Sequence, residues 1–152
     1  MSETMTADGI IESNAALMDR HYDLRAIGAF PGETPFKYGE LVFGQGLIED
    51  IDGQPSVIAD IPLDLQSIDN EFARLMPRFT YNSGCIMIAA TLTTDTPHEL
   101  TAMGLLDDQG NLLAAFGMLP IWITPTRTFD VIIKIHIDRS DDQAKPIEFT
   151  AK

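Results

Sequence analysis

Three histidines, one cysteine and a few clustered acids carry whatever acid–base, nucleophilic or metal chemistry this chain can offer. Histidine titrates nearest neutral pH and is the commonest proton carrier. His21, His98 and His136 are far apart in sequence, and none stands at a metal-binding spacing. His98 sits in the turn Thr96-Pro97-His98-Glu99, and His136 lies on the more polar side of an alternating run. Each reads as an ordinary surface or hydrogen-bonded histidine. Cys85 needs a neighbouring base or a helix N-terminus to become a nucleophile. It begins an apolar run, so the expectation is a buried small side chain. No pair of Cys or His residues has zinc spacing.

The acids Glu49, Asp50 and Asp52 raise the question of calcium. A calcium loop of the EF-hand type places Gly sixth and Glu twelfth. Here Gly53 follows Asp52 directly, and no Glu falls twelfth from either Asp50 or Asp52. Asp52-Gly53 as a tight hairpin turn accounts for the same letters. Asp107 and Asp108 have the same explanation, with Gly110 at a left-handed position. Gly44 and Gly46 begin a dinucleotide-like pattern, but its third glycine would be Glu49 and a β-like stretch follows. There is no Walker loop and no Gly-x-Ser-x-Gly elbow. The expectation is therefore a protein that is not an enzyme, with no catalytic residue, no cofactor and no bound metal. A hydrolase using His98 or His136 with nearby acids is the weakest reading kept.

The elements that position these residues are mainly strands. Ile11, Ala15 and Met18 recur at helical spacing and predict a short helix over 10–19. Residues 25–46 are dense in Gly and Pro and read as loops with short extended pieces. Two strands flank Asp52-Gly53 in 47–64. Leu65, Ile68, Phe72 and Leu75 predict a second helix, with Ser67 as a candidate cap, ended by Pro77. A central strand is expected over 85–95, and 102–106 pairs with 112–116 as a hairpin. The stretch 120–126, which holds Trp122, reads as a loop. In 129–137, Phe129, Val131, Ile133, Ile135 and Ile137 alternate with Asp130, Ile132, Lys134 and His136. Residues 139–146 read as a loop and 147–152 as a short strand. The fold class is mainly β: an antiparallel β-sandwich or small barrel with two short helices, in a single domain over 1–152 whose residues 1–9 fray.

Bulk composition sharpens the function classes. Acids outnumber Lys plus Arg by 23 to 10, a net charge of −13. Such a surface repels phosphate backbones and anionic headgroups, so neither nucleic acid nor a membrane is an expected partner. Solubility, or a partner with a basic patch, explains it. A single cysteine fits synthesis in a reducing compartment. No run of 18 apolar residues spans a bilayer. The first residues are acidic where a signal peptide is basic. The chain is expected to fold in a cytoplasm.

Strand neighbours point to opposite faces of a sheet. Leu105 with Leu106, and Leu112 with Leu113, therefore put apolar groups on both faces of the hairpin. Ile132 puts one on the polar side of its strand. Either a second subunit or the chain's own helices and loops cover them. Trp122 is either a core filler or an exposed anchor of the kind enriched at interfaces. Trp122, Ile132, His136, Leu106 and Leu113 are the candidate interface residues.

The stretch 99–120, "ELTAMGLLDDQGNLLAAFGMLP", followed by the alternating strand, resembles the N-terminal domain of the phage tail-collar fibre family. Gly104, Leu105, Asp108, Gly110, Asn111, Leu112 and Gly117 stand at the matching positions, and the likeness covers 85–137. The first third departs from it, with "VFGQGLIED" where the family has a loop rich in Gly and Asp, and no long fibre follows. The resemblance implies a free-standing baseplate or fibre-adaptor protein, located in a virion after synthesis in the host cytoplasm. It implies a homo-oligomer, often a trimer, with other tail or baseplate proteins as partners and no catalytic residues to transfer. The alternative is a small β-sandwich module binding carbohydrate or peptide, with Trp122 and Tyr81 as stacking platforms.

Overall fold

The computed structural model describes residues 12–136 and 147–151. Two antiparallel sheets face each other. The first is five-stranded, in the order β1 (Ser13–Leu17), β9 (Leu112–Ile123), β8 (His98–Asp107), β2 (Tyr38–Gln45), β5 (Asp69–Leu75). The second is four-stranded, in the order β11 (Ile147–Ala151), β10 (Phe129–His136), β7 (Cys85–Leu92), β6 (Arg78–Asn82). A small hairpin, β3 (Ile48–Ile51) with β4 (Gln54–Val57), packs across β9. One helix, α1 (Asp19–Ile27), links the first two strands. The mainly β class holds, and among the described residues the arrangement is a sandwich, with no closed barrel.

The alternation of β10 sets the inner layer. Phe129, Val131, Ile133 and Ile135 are buried against Leu41, Phe43, Met103, Leu105, Phe116 and Met118 of the first sheet. Both turns flanked by tight hairpins are built as two-residue loops with positive φ. Asp52 and Gly53 stand at 54° and 78°, and Ser83 and Gly84 at 50° and 80°. Such loops match the right-handed twist of their strands. The opening turn of the long hairpin β8–β9 is held by Asp107, which is buried. Its carboxylate accepts from the Gln109 N–H at 2.9 Å, the Asn111 N–H at 2.8 Å and the Asn111 side-chain amide at 2.9 Å.

Neither predicted helix is present. Over the described part of 10–19 the chain forms β1, in register from Ser13 opposite Met118 to Leu17 opposite Ala114. The long apolar β9 offers a full ladder, and tertiary pairing outweighs a five-residue helical propensity. The helix starts only at Asp19 and is mostly polar, burying His21 alone. The second predicted helix is β5. Its apolar residues recur every three or four because the segment climbs over the sheet's edge. Leu65 and Ile68 pack on the outside of the five-stranded sheet, while Phe72 and Leu75 pack toward the inner core. The stretch read as a loop around Trp122 is the end of β9. Pro120 lies at a register shift between Leu100 and Ala102, where a missing N–H is tolerated. Residues 1–9 and 139–146, and Ile137 at the end of the alternating run, lie outside the described residues.

Candidate interaction surface

The outward face of the five-stranded sheet is built from small residues. One cross-strand row reads Val42, Gly104, Ala115, Ala16, and the next reads Gly44, Ala102, Gly117, Asn14. Such rows leave a shallow surface on which backbone can lie. The segment 58–68 and the β3–β4 hairpin do so, bringing Ile61 and Ile68 into a second buried cluster with Val42, Leu106 and Leu112. A Cβ on Gly117 would come within 2.8 Å of the Leu47 carbonyl oxygen, and one on Gly104 within 2.6 Å of Leu112 Cδ1. The cover is tied down by polar contacts. The Asn14 amide donates to the carbonyls of Ile58 at 3.1 Å and Ala59 at 3.0 Å, and the Asp19 N–H donates to Leu63 O at 2.9 Å. Each buried isoleucine contributes roughly 2 kcal/mol.

This corrects two candidate interface residues. Leu106 and Leu113 are sealed inside the single chain. Leu106 is covered by segment 58–68, and Leu113 is fully buried, its carbonyl accepting from the N–H of Met18, the residue before α1, at 2.8 Å.

The outward face of the four-stranded sheet is different. Its rows read Arg78, Ala89, Ile132, Thr150, then Thr80, Met87, Lys134, Glu148, then Asn82, Cys85, His136. None of these residues is buried, and no other layer of the described chain lies over them. Met87 and Ile132 are 37% and 39% exposed. His136 Nε2 sits 2.5 Å from Glu148 Oε2. Cys85 is opposite His136 in register and half-buried, so the expected full burial of the thiol does not occur. Thr80, Asn82, Cys85, Met87, Lys134, His136 and Glu148 line one shallow depression on this face. Of the candidate interface residues, Ile132 and His136 stand on this face, and His136 lines the depression.

The face ends at β6, where all five residues are exposed. Phe79 and Tyr81 lie on the inner side of that strand, opposite Ile88 and Ile86, but overhang the sandwich and are 39% and 65% exposed. Phe79 stacks on Tyr38 at 6.4 Å, and Phe36 meets Tyr38 edge-on at 5.2 Å. Behind them is His21, fully buried. Its Nε2 lies 3.1 Å from the Tyr38 hydroxyl, and its Nδ1 has no hydrogen-bond partner. Burial, and secondly the nearby Arg25 charge, lower its pKa to about 4. Burial also raises the Tyr38 pKa, so imidazole and phenol meet as neutral groups.

No known protein family, curated protein or solved structure matches this chain.

The remaining candidates are scattered. His98 stacks face to face on Phe72 at 4.5 Å, and its Nε2 lies 3.0 Å from Thr96 Oγ1. It is the first residue of β8 and not part of a free turn. Trp122 is 55% exposed, opposite Glu99 on the outward side of the five-stranded sheet, beyond its covered part. Among the described residues no three of His, Cys, Asp and Glu stand close enough to hold a metal ion. The sequence pattern leaves β6 and Phe79 unrecognised and singles out Tyr81 alone, as a stacking platform. The signal was present in Phe79 and Tyr81 two apart before the turn-forming Asn82-Ser83-Gly84.

Proposed function

We propose that this protein is a structural component of a phage-like tail, joining baseplate and tail fibre through protein–protein contacts, with no catalytic step of its own. The observation that carries the reading is the outward face of the four-stranded sheet, bare among the described residues and continuous with an edge strand, paired with no described strand but β7, that presents Phe79 and Tyr81. Its mixed character suits docking: apolar Met87, Ala89 and Ile132 lie among Arg78, Lys134, Glu148 and Thr80. Interfaces likewise set an apolar centre in a polar rim. The hairpin resemblance between Gly104 and Gly117 adds the tail setting. Mass spectrometry of intact tail-like particles from the producing cell tests it. The chain is expected in the particles, and the double variant Met87→Lys/Ile132→Lys, folded by circular dichroism, is expected to be missing from them. Recovery of the chain only as free protein, or unchanged incorporation of the variant, refutes the reading.

The exposure of Trp122 favours one alternative, a module that binds carbohydrate or peptide by stacking. In that case Trp122→Ala abolishes capture on a glycan or peptide array. Tyr81 is on the other sheet, and its hydroxyl already accepts from the Gly84 N–H at 3.0 Å.

A further inference from the structure

The edge strand β6 lacks the devices that keep sheet edges apart. Natural edges carry bulges, prolines or inward charges. The neighbouring edge β5 has Asp69 and Glu71, a left-handed Asn70 at φ 49° and a register shift against β2. β6 is regular, has an unbroken register with β7, and carries one charge, Arg78, at its start.

The turn fixes which backbone groups are free. A two-residue hairpin loop makes its flanking residues, Asn82 and Cys85, a hydrogen-bonded pair. Such pairs alternate along an antiparallel ladder. Arg78, Thr80 and Asn82 therefore direct their amide groups to β7, while Phe79 and Tyr81 direct theirs to the open edge.

We propose that two copies of this chain pair antiparallel along β6, about a two-fold axis through Thr80, joining their four-stranded sheets into one. The inference rests on the assembly reading and names a second copy as the occupant of the edge. The axis through Thr80 sets Phe79 opposite Tyr81 of the second copy, twice, with about four hydrogen bonds between the chains. Other registers lose bonds. An axis through Phe79 sets Tyr81 opposite Pro77, which has no N–H. An axis through Tyr81 sets Phe79 opposite Ser83, whose φ of 50° is not extended. Charge selects the same edge. Each copy carries −13, yet no acid occurs from Arg74 to Thr94. In the Thr80 register Arg78 faces Asn82, so no like charges meet. The aromatic rings left wet by the overhang gain cross-strand aromatic partners, a favoured pairing on sheets.

Sedimentation velocity and light scattering of the full chain test the pairing. The expected result is a concentration-dependent species of twice the chain mass. Thr80→Lys puts two ammonium groups face to face at the axis and is expected to weaken association by roughly tenfold or more. Circular dichroism checks that the variant is folded. As a second variant, Thr80→Cys in a Cys85→Ser background is expected to form a disulfide-linked pair on oxidation, because facing residues at the axis lie within disulfide reach. A monomer at every concentration overturns the pairing and leaves the particle test of Met87 and Ile132 standing. A closed trimer, or a pair indifferent to Thr80→Lys that does not cross-link, overturns it as well. Pairing that persists while the chain is absent from tail particles overturns the assembly reading alone.

Discussion

The two outward faces of this sandwich are both antiparallel, and they meet opposite fates. On the five-stranded sheet, rows of Gly and Ala let the chain's own segment 58–68 settle onto the surface and bury Ile61 and Ile68. On the four-stranded sheet, Met87, Ile132, Lys134 and Glu148 stand up from the pleat, and the described chain leaves them uncovered. A small side chain on a strand is thus a vacancy for the chain's own backbone, and a tall mixed face is a surface for something else. Apolar residues on both sides of a strand do not by themselves indicate a partner: Leu106 and Leu113 are satisfied within the chain.

The contrast breaks most sharply under a charge. Ala115→Lys, beneath the cover, is expected to abolish folding in a denaturant titration, because the ammonium group has no water and no counterion there. Met87→Lys on the bare face is expected to change monomer stability by less than about 0.5 kcal/mol. Equal losses at the two positions would erase the distinction.

Next in size is the turn that aligns β8 with β9. Asp107→Ala removes a buried carboxylate that ties together the part-buried turn donors of Gln109 and Asn111, and is expected to cost about 1–2 kcal/mol in urea unfolding. Asn14→Ala unties the cover and is expected to cost about 1–2 kcal/mol, with faster amide exchange in 58–68 and unchanged exchange in β10.

Acid sharpens the comparison at the aromatic cluster behind β6. His21 titrates near 4 in the folded chain, against about 6.5 when unfolded. Above pH 6.5 both states hold a neutral imidazole, and stability does not change on its account. Between about 6.5 and 4 the unfolded chain takes up a proton that the folded chain refuses, so stability falls as pH falls. His21→Phe is expected to flatten this part of the stability–pH curve. An unchanged slope would place the acid sensitivity elsewhere.

Much of this architecture is legible in the residues. The β3–β4 and β8–β9 turns follow from Asp-Gly and Asp-x-x-Gly, and the alternation of β10 maps directly onto buried and exposed positions. Two strands are illegible for a physical reason. The Leu65–Leu75 spacing serves two different cores on either side of a sheet edge, which imitates a helix. β1 owes its conformation to β9, about a hundred residues away. The bare face is half legible: Ile132 and His136 come from alternation, whereas the exposure of Met87 and the edge position of β6 depend on knowing which strands are neighbours. The burial of His21 on a polar helix depends on Phe36 and Tyr38, which arrive from another element.

Amide exchange at β6, followed by NMR as the full chain is concentrated, bears most directly on whether this open edge and face carry the association. The expected result is that the Phe79 and Tyr81 amides exchange quickly in dilute solution and slow as concentration rises, while the Thr80 amide, already bonded to β7, stays unchanged. Concentration-independent exchange at Phe79 and Tyr81, in a sample that does associate, would contradict the account.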